Sequence, residues 1–297
     1  MKPPVANIFA LLLFILLPNH AWSGGLAVVT DIAPVHAIVT AITGDTTAPR
    51  QLIKGSTSPH DFALRPSDIR KLQTADLIIW VGPLASPGLA KLMAQDDLFA
   101  RSLRLDSVPN LTTLKLRAPG LFLNGEPQHS VDPHIWLSPA NALAWVDTIT
   151  ARLKFADPDN AALFAENAAN LSSEITRAQT DVDAMFTEDR LPFVQYHDAF
   201  QYFERHFKLI PLGAATTGDQ ENPALGPMLD LTRALRQAGD FCVVLDRQSA
   251  RSAAQPLLDL KGARAVVISP LVSDQSGLSY PDFLRSLGQK FADCVTP

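Results

Sequence analysis

Residues Asp157–Thr187 read DPDNAALFAENAANLSSEITRAQTDVDAMFT. Leu163, Ala168, Leu171, Ile175, Ala178, Val182 and Met185 recur every three to five positions, and after Pro158 neither Gly nor Pro interrupts them. The spacing predicts a helix from about Asp159 to Thr187, ~43 Å long at 1.5 Å per residue. That exceeds what one small domain uses, so the segment reads as a rigid spine bracing two lobes.

Working outward, both flanks alternate between strand-like and helix-like stretches. On the N-terminal side, Leu26–Thr30, a segment ending at Leu52-Ile53, the unbroken apolar run Leu77–Val81 (LIIWV) and Leu103–Leu105 read as strands. Helices are expected over Pro34–Ile42, from Pro66 with Ser67 as N-cap, and from Pro139 to about Lys154 with Ser138 as N-cap. On the C-terminal side, Phe193–Tyr196, a strand starting at Leu209-Ile210, Cys242–Leu245 and Ala265–Ile268 read as strands, the last two buried. They alternate with helices over Ala199–Phe207, Leu225–Gln237 and Ser279–Ala292. Such alternation implies an α/β protein with parallel sheets flanked by helices. The expected division is a leader over 1–23, an N-terminal lobe over 24–157, a linking helix over 158–188 and a C-terminal lobe over 189–297, with a cleft between the lobes. Leu116–Ser130 is the one turn-rich loop.

The leader follows from charge and length. Lys2 precedes ten consecutive apolar residues, Ile8–Leu17, which Pro18 ends, and Ala21-Trp22-Ser23 places small residues for cleavage after Ser23. Ten residues span ~15 Å of helix, about half a bilayer core, so the run is a signal peptide and not a transmembrane helix. The mature chain is expected to be exported and soluble, starting at Gly24. No Cys stands at the cleavage point to carry a lipid.

The 297 residues suffice for two domains, and with 47% hydrophobic and 19% charged residues the chain can bury real cores. A net charge of -5 offers no basic surplus to neutralise phosphates, which argues against nucleic acid as a partner. The two cysteines, Cys242 and Cys294, can pair in an oxidising compartment or stand as two free buried thiols. Pairing would close a loop of about 53 residues, worth roughly 4 kcal/mol in the loop-entropy model.

Three histidines sit at junctions where open parallel sheets bind ligands. His60 lies in Gly55–Asp61 (GSTSPHD), His134 in Val131–Trp136 (VDPHIW), and His197 in Phe193–Asp198 (FVQYHD) at a strand's C-terminal end. Neutral imidazole suits zinc, copper or nickel better than calcium or magnesium, and a three-His set leaves one tetrahedral position for water or a carboxylate. On spacing alone the alternative stands beside this one: three unrelated loop or cap residues. His36 and His206 read as surface residues, and His129 as a solvated residue able at most to assist a metal. Asp61 and Asp198 are expected to cap helices or hold loops, and Trp80, Trp136 and Trp145 to pack. No GxSxG, HExxH, GxxxxGK[ST] or GxGxxG occurs.

Ser58-Pro59-His60-Asp61 through Leu64-Arg65-Pro66-Ser67-Asp68, with Ala75-Asp76-Leu77 and Val81-Gly82, resembles the first metal-binding region of the bacterial cluster A-I solute-binding proteins. His134–Pro139 is similar to their second region, and Val194–Phe200 with Tyr202-Phe203 to their third. The resemblance spans the mature chain in order. It implies the periplasmic, metal-capturing subunit of a zinc ABC importer: a monomer that binds Zn2+ through His60, His134 and His197 and delivers it to a membrane permease and its ATPase. It also implies a non-enzyme, and a Cys242–Cys294 disulfide like that of the zinc branch. Manganese- and iron-binding relatives use two His and two carboxylates. Here His197 fills the third position, and Ile268-Ser269-Pro270-Leu271 stands where the last Asp is expected, which favours zinc. Pro59 stands where some zinc members carry an acid, so a fourth protein ligand is not identified. The His-rich loop common in that branch is reduced to about Gly125–Ser130 with His129 alone. A zinc hydrolase, the reading from another class, lacks an identifiable general base.

Overall fold

The computed structural model describes residues 25–55, 57–122, 129–218, 222–271 and 277–297, without the side chains of 248 and 249. The expected leader and its cleavage point lie outside the described residues, as do positions 125–128 of the shortened loop.

The first sheet contains β1 (Val28–Thr30), β2 (Arg50–Gln51), β3 (Leu77–Trp80) and β4 (Ser102–Arg104), all parallel, in the order β2-β1-β3-β4. Its helices are α1 (Ala33–Thr43), α2 (Pro66–Gln73), α3 (Pro87–Met93), α4 (Asp96–Ala100) and α5 (Pro139–Ala156). A 3-10 turn over Pro158–Asn160 leads into α6 (Ala161–Asp183). The second sheet holds β5 (Gly120–Leu121), β6 (Phe193–His197), β7 (Gly213–Thr216), β8 (Phe241–Leu245) and β9 (Ala263–Val267), in the order β5-β7-β6-β8-β9. It is parallel except where β5 runs antiparallel to β7. Its helices are α7 (Gln201–Phe207), α8 (Leu225–Leu235), α9 (Gln255–Leu258) and α10 (Tyr280–Val295). The α/β class, the parallel sheets and the long linking helix are as the sequence predicts.

The linking helix α6 is shorter than expected, 23 residues or about 35 Å. Pro158 opens a 3-10 turn, and past Ala184 the chain leaves the helix so that Leu191 N–H can reach the Val295 carbonyl before β6. The buried stripe is Phe164, Ala168, Leu171, Ile175, Ala178 and Val182, stepping by four and three; Leu163, read as the first core position, is 38% exposed. The stripe packs on α1 and α5 from the first half and on α10 from the second. On α10, Gly288 permits this approach, since a Cβ there would stand 2.7 Å from Val182 Cγ1. One hydrophobic core therefore runs from β1 and β3 through α6 to Phe291 on α10. A smaller core around Val194, Tyr196, Leu231 and Val243 fills the other face of the second sheet.

Other expectations need correction. Arg65, not Ser67, occupies the α2 N-cap, and the Asp68 carboxylate accepts from the Arg65 N–H at 3.2 Å. The strand expected from Leu209-Ile210 begins at Gly213, and Ile210 is exposed. As an edge strand paired on one side, β9 leaves Arg264 and Ala265 exposed where a buried strand was expected. The turn-rich segment contains β5, a two-residue strand too short to carry a pattern. Cys242 on β8 and Cys294 on α10 form a disulfide, with Cα atoms 5.6 Å apart.

The loop that carries His60 rests on α3. A Cβ at Gly88 would lie 2.0 Å from the Phe62 carbonyl oxygen, so only glycine fits that contact. Gly88→Ala is expected to lower unfolding stability by ~1–3 kcal/mol, the usual cost of overpacking a tight contact. Chemical denaturation measures this, and an unchanged midpoint would contradict so close an approach.

Candidate metal centre

Hydrogen bonds to buried carboxylates hold two of the three imidazoles. Before His134, the Asp132 N–H donates to the Leu114 carbonyl at 2.9 Å. The buried Asp132 carboxylate turns back, its Oδ1 accepting from the His134 backbone N–H at 2.9 Å and meeting His134 Nδ1 at 2.8 Å. The chain then makes a 3-10 turn over Ile135–Leu137, and the Ser138 hydroxyl caps α5 by accepting from Asn141 N–H. Trp136 is fully buried and secured at both ends: its Nε1 donates to the Pro270 carbonyl at 2.7 Å, and its own carbonyl accepts from Tyr280 O–H at 2.7 Å.

His197 ends β6, a strand buried along its whole length between β7 and β8. Its Nδ1 lies 3.2 Å from Oδ2 of Asp246, which directly follows β8. An ionised carboxylate only accepts, so at both His134 and His197 this contact favours the proton on Nδ1 and the lone pair on Nε2, an arrangement suited to metal binding through Nε2. His60 is half-buried, and its backbone N–H donates to Ser58 Oγ at 3.2 Å.

The three rings converge. Centroids of His60 and His134 are 5.2 Å apart, and those of His134 and His197 are 5.1 Å apart. The Nε2 atoms of His60 and His134 are separated by 3.3 Å. Two nitrogens on a tetrahedral zinc with bonds of about 2.0 Å stand about 3.3 Å apart. That edge is formed, although no group of three or more His, Cys, Asp or Glu side chains among the described residues already has metal-holding geometry. A cavity of about 50 Å³ beside the rings is lined by all three imidazoles, Trp136, Asp246 and Arg247, among others; one of about 320 Å³ also touches all three.

Beneath the site lies a buried ionic cluster. Arg117 Nε donates to Asp198 Oδ2 at 2.9 Å, and its Nη2 donates to Asp198 Oδ1 and, at 2.9 Å, to Glu204 Oε2. Its guanidinium lies over the Phe122 ring, 4.0 Å from the centroid. Burial pushes the Glu204 carboxyl up to about 8 against the pull of Arg117, and it raises Asp198 as well. Burial likewise pushes Asp132 up to about 7, against the hydrogen bond from the His134 N–H. Tyr202 O–H donates to the Asp132 carbonyl at 2.9 Å and its oxygen accepts from Leu114 N–H at 3.0 Å, while Gln201 Nε2 donates to the Lys115 carbonyl at 3.0 Å. Thus α7 stitches the segment before His134 to the strand end that carries His197.

Of the remaining sequence candidates, His36, His129 and His206 line neither cavity, whereas Asp61 lines the larger one with the three imidazoles and Trp136 the smaller. His36 is half-buried on α1 with Nδ1 3.2 Å from Thr30 Oγ1, and His206 is half-buried against Phe207. His129 is exposed, its carbonyl accepting from Lys115 Nζ. Asp198 holds a loop through Arg117, as expected, whereas Asp61 is exposed. Trp80, Trp136 and Trp145 are buried. Sequence reasoning gave no role to Asp132, although it stands two residues before His134, and it missed Asp246 and Arg117. Asp246 had a signal, since it follows a buried strand at the same carboxyl edge as His197; Arg117 had none.

Two parallel α/β sheets packed along one long helix, with three imidazoles from separate loops and one strand end brought together, are the arrangement of the helix-linked solute-binding class. The chain matches the family described as zinc-uptake complex component A, periplasmic, over residues 28–294, and it belongs to that family. The high-affinity zinc uptake system protein ZnuA of Paracoccus denitrificans is 31% identical, covering 90% of this chain and 91% of that protein. ZnuA of Yersinia pestis is 29% identical and covers 95% of each chain. Among solved structures, a 138–173 ZnuA deletion mutant with zinc bound aligns over 92% of this chain and 99% of its own, with TM-score 0.75 and 23% identity. The Mn2+ complex of FpvC from Pseudomonas aeruginosa aligns over 90% of this chain and 97% of its own, with TM-score 0.74 and 19% identity, so the fold by itself does not select the metal.

If Asp132 and Asp246 orient the imidazoles, Asp132→Asn and Asp246→Asn should each weaken zinc binding about 10- to 100-fold at unchanged stoichiometry. Competition against a chromogenic chelator reads this, and wild-type affinity in either variant would remove that carboxylate from the site.

Proposed function

We propose that the protein captures Zn2+ in the periplasm on His60, His134 and His197 and delivers it, as a monomer, to the membrane permease and ATPase of an ABC importer. The observation that carries this reading is the convergence of the three imidazoles, two with Nδ1 held by a buried carboxylate. Membership of the zinc-uptake family supports transport over hydrolysis. Its relatives are named for uptake, and among the described residues Asp132 and Asp246 are engaged at Nδ1 of an imidazole while Asp198 is paired with Arg117. In this reading the lobes 24–157 and 189–297 enclose the ion, and 158–188 links them. Among the described residues no helix is long and apolar enough to cross a membrane, which fits a protein that meets its permease from outside.

Zinc is favoured over manganese by donor chemistry. Imidazole is a softer ligand than carboxylate, and the divalent series rises from manganese toward copper and zinc at nitrogen sites. Protons compete for the same Nε2 lone pairs, so zinc affinity should fall as pH drops below the ordinary imidazole value of ~6.5, approaching about a thousandfold per pH unit once all three rings must deprotonate. Each of His60→Ala, His134→Ala and His197→Ala should weaken zinc by orders of magnitude and keep the fold. Chelator-competition titrations at several pH values, repeated with manganese, test both statements. A shallow pH slope with comparable manganese affinity would mean that carboxylates hold the ion.

A further inference from the structure

Three imidazoles leave one tetrahedral position, and the two cavities that touch all three rings bring different carboxylates toward it; this step rests on the zinc reading above. The smaller cavity is lined by Asp246, among others. Its Oδ2 lies 3.2 Å from His197 Nδ1 and 3.0 Å from Arg247 Nη1. The two nitrogens of an imidazole point away from each other across the ring, so a carboxylate held at Nδ1 stands well beyond bonding distance from an ion on Nε2. The two oxygens of one carboxylate are too close together for Oδ1 to close that gap. The same holds for Asp132, whose Oδ1 meets His134 Nδ1 at 2.8 Å. Both acids orient rings, and neither reaches the ion those rings bind.

The larger cavity, about 320 Å³, holds a carboxylate on the Nε2 side of this argument. Asp61 is the one acid of its described lining and shares it with His60, His134 and His197. The Phe62 N–H donates to the Pro59 carbonyl at 3.5 Å, which closes a turn with His60 and Asp61 at its two corners. Both side chains border the same cavity although they are adjacent in sequence. Asp61 is exposed, and among the described residues no hydrogen bond or ion pair engages its carboxylate, so turning it onto an ion breaks no contact of the fold. An ion on three neutral imidazoles keeps its full double charge, which favours an anionic oxygen over a water in the remaining position.

We propose that the Asp61 carboxylate is the fourth ligand of the zinc ion and meets it from the larger cavity. Two of the four donors then sit side by side on the Pro59–Phe62 turn, His134 supplies the third and the β6 end the last. The site is closed by the protein's own groups, with no exogenous ligand on the metal.

The test compares the full mature chain with Asp61→Asn, using Zn2+ and the spectroscopic substitute Co2+, and then adds azide to the cobalt complexes. Asp61→Asn should bind zinc about tenfold more weakly or worse, since losing a ligand costs no less than losing an outer-shell partner. Its cobalt complex should take up azide saturably, with a shift of the visible bands, because one position on the metal is then open. The wild-type cobalt spectrum should not respond to the same azide. A lost structural residue would weaken binding without opening the metal to azide, so this readout separates the two roles. Wild-type zinc affinity in Asp61→Asn, or an azide response that is equal in both proteins or absent from both, overturns this proposal alone. A wild-type chain that binds neither metal overturns the zinc reading and the proposal with it.

Discussion

The contact on which the site depends is the pairing of a buried carboxylate with Nδ1 of an imidazole, made twice: Asp132 with His134 and Asp246 with His197. A neutral imidazole can place its proton on either nitrogen, and only one choice leaves Nε2 free to ligate. Both carboxylates are buried, so both contacts are held by strand and turn geometry and do not depend on mobile surface groups. Asp132 is fixed by its backbone bonds to Leu114 and Tyr202, and Asp246 by its position directly after β8. The His197 imidazole is thereby aimed by a carboxylate 49 residues away, and the His134 imidazole by a near neighbour that distant residues hold in place.

Burying acids has a cost, and the fold offsets it locally. Asp198 and Glu204 share Arg117, and burial raises both carboxyls. Removing one partner of such a cluster leaves charge unpaired in a low dielectric, which costs several kcal/mol, about 3–5 in measured cases. The cluster joins the 114–117 segment to α7 immediately beside His197. Together with the continuous core along α6, this makes the distance between His134 and His197 a property of the fold and not of either loop.

Much of this was legible in the sequence because the signals were periodic or local. The α6 stripe, LIIWV and CVVL announce themselves by pattern, and Ser138-Pro139 marks a helix start that the structure keeps. Errors fell where a pattern was degenerate. Leu163 and Phe164 are adjacent, and periodicity with a tolerance of one residue admits either; packing against the core chose Phe164. Cβ-free Gly120 and Leu121 could not signal an antiparallel edge in two residues. Histidines draw attention because they are few and suit metals, whereas Asp246 and Arg117 are residue types found on any surface. The Arg117–Asp198 pair spans 81 residues of sequence, and nothing short of the fold brings the two together.

Zinc K-edge X-ray absorption on the loaded protein tests the central claim most directly. The account predicts a four-coordinate ion with nitrogen and oxygen donors near ~2.0 Å and outer-shell scattering from three imidazole rings. A fit requiring two or fewer rings, or a mainly oxygen shell of higher coordination number, would contradict it.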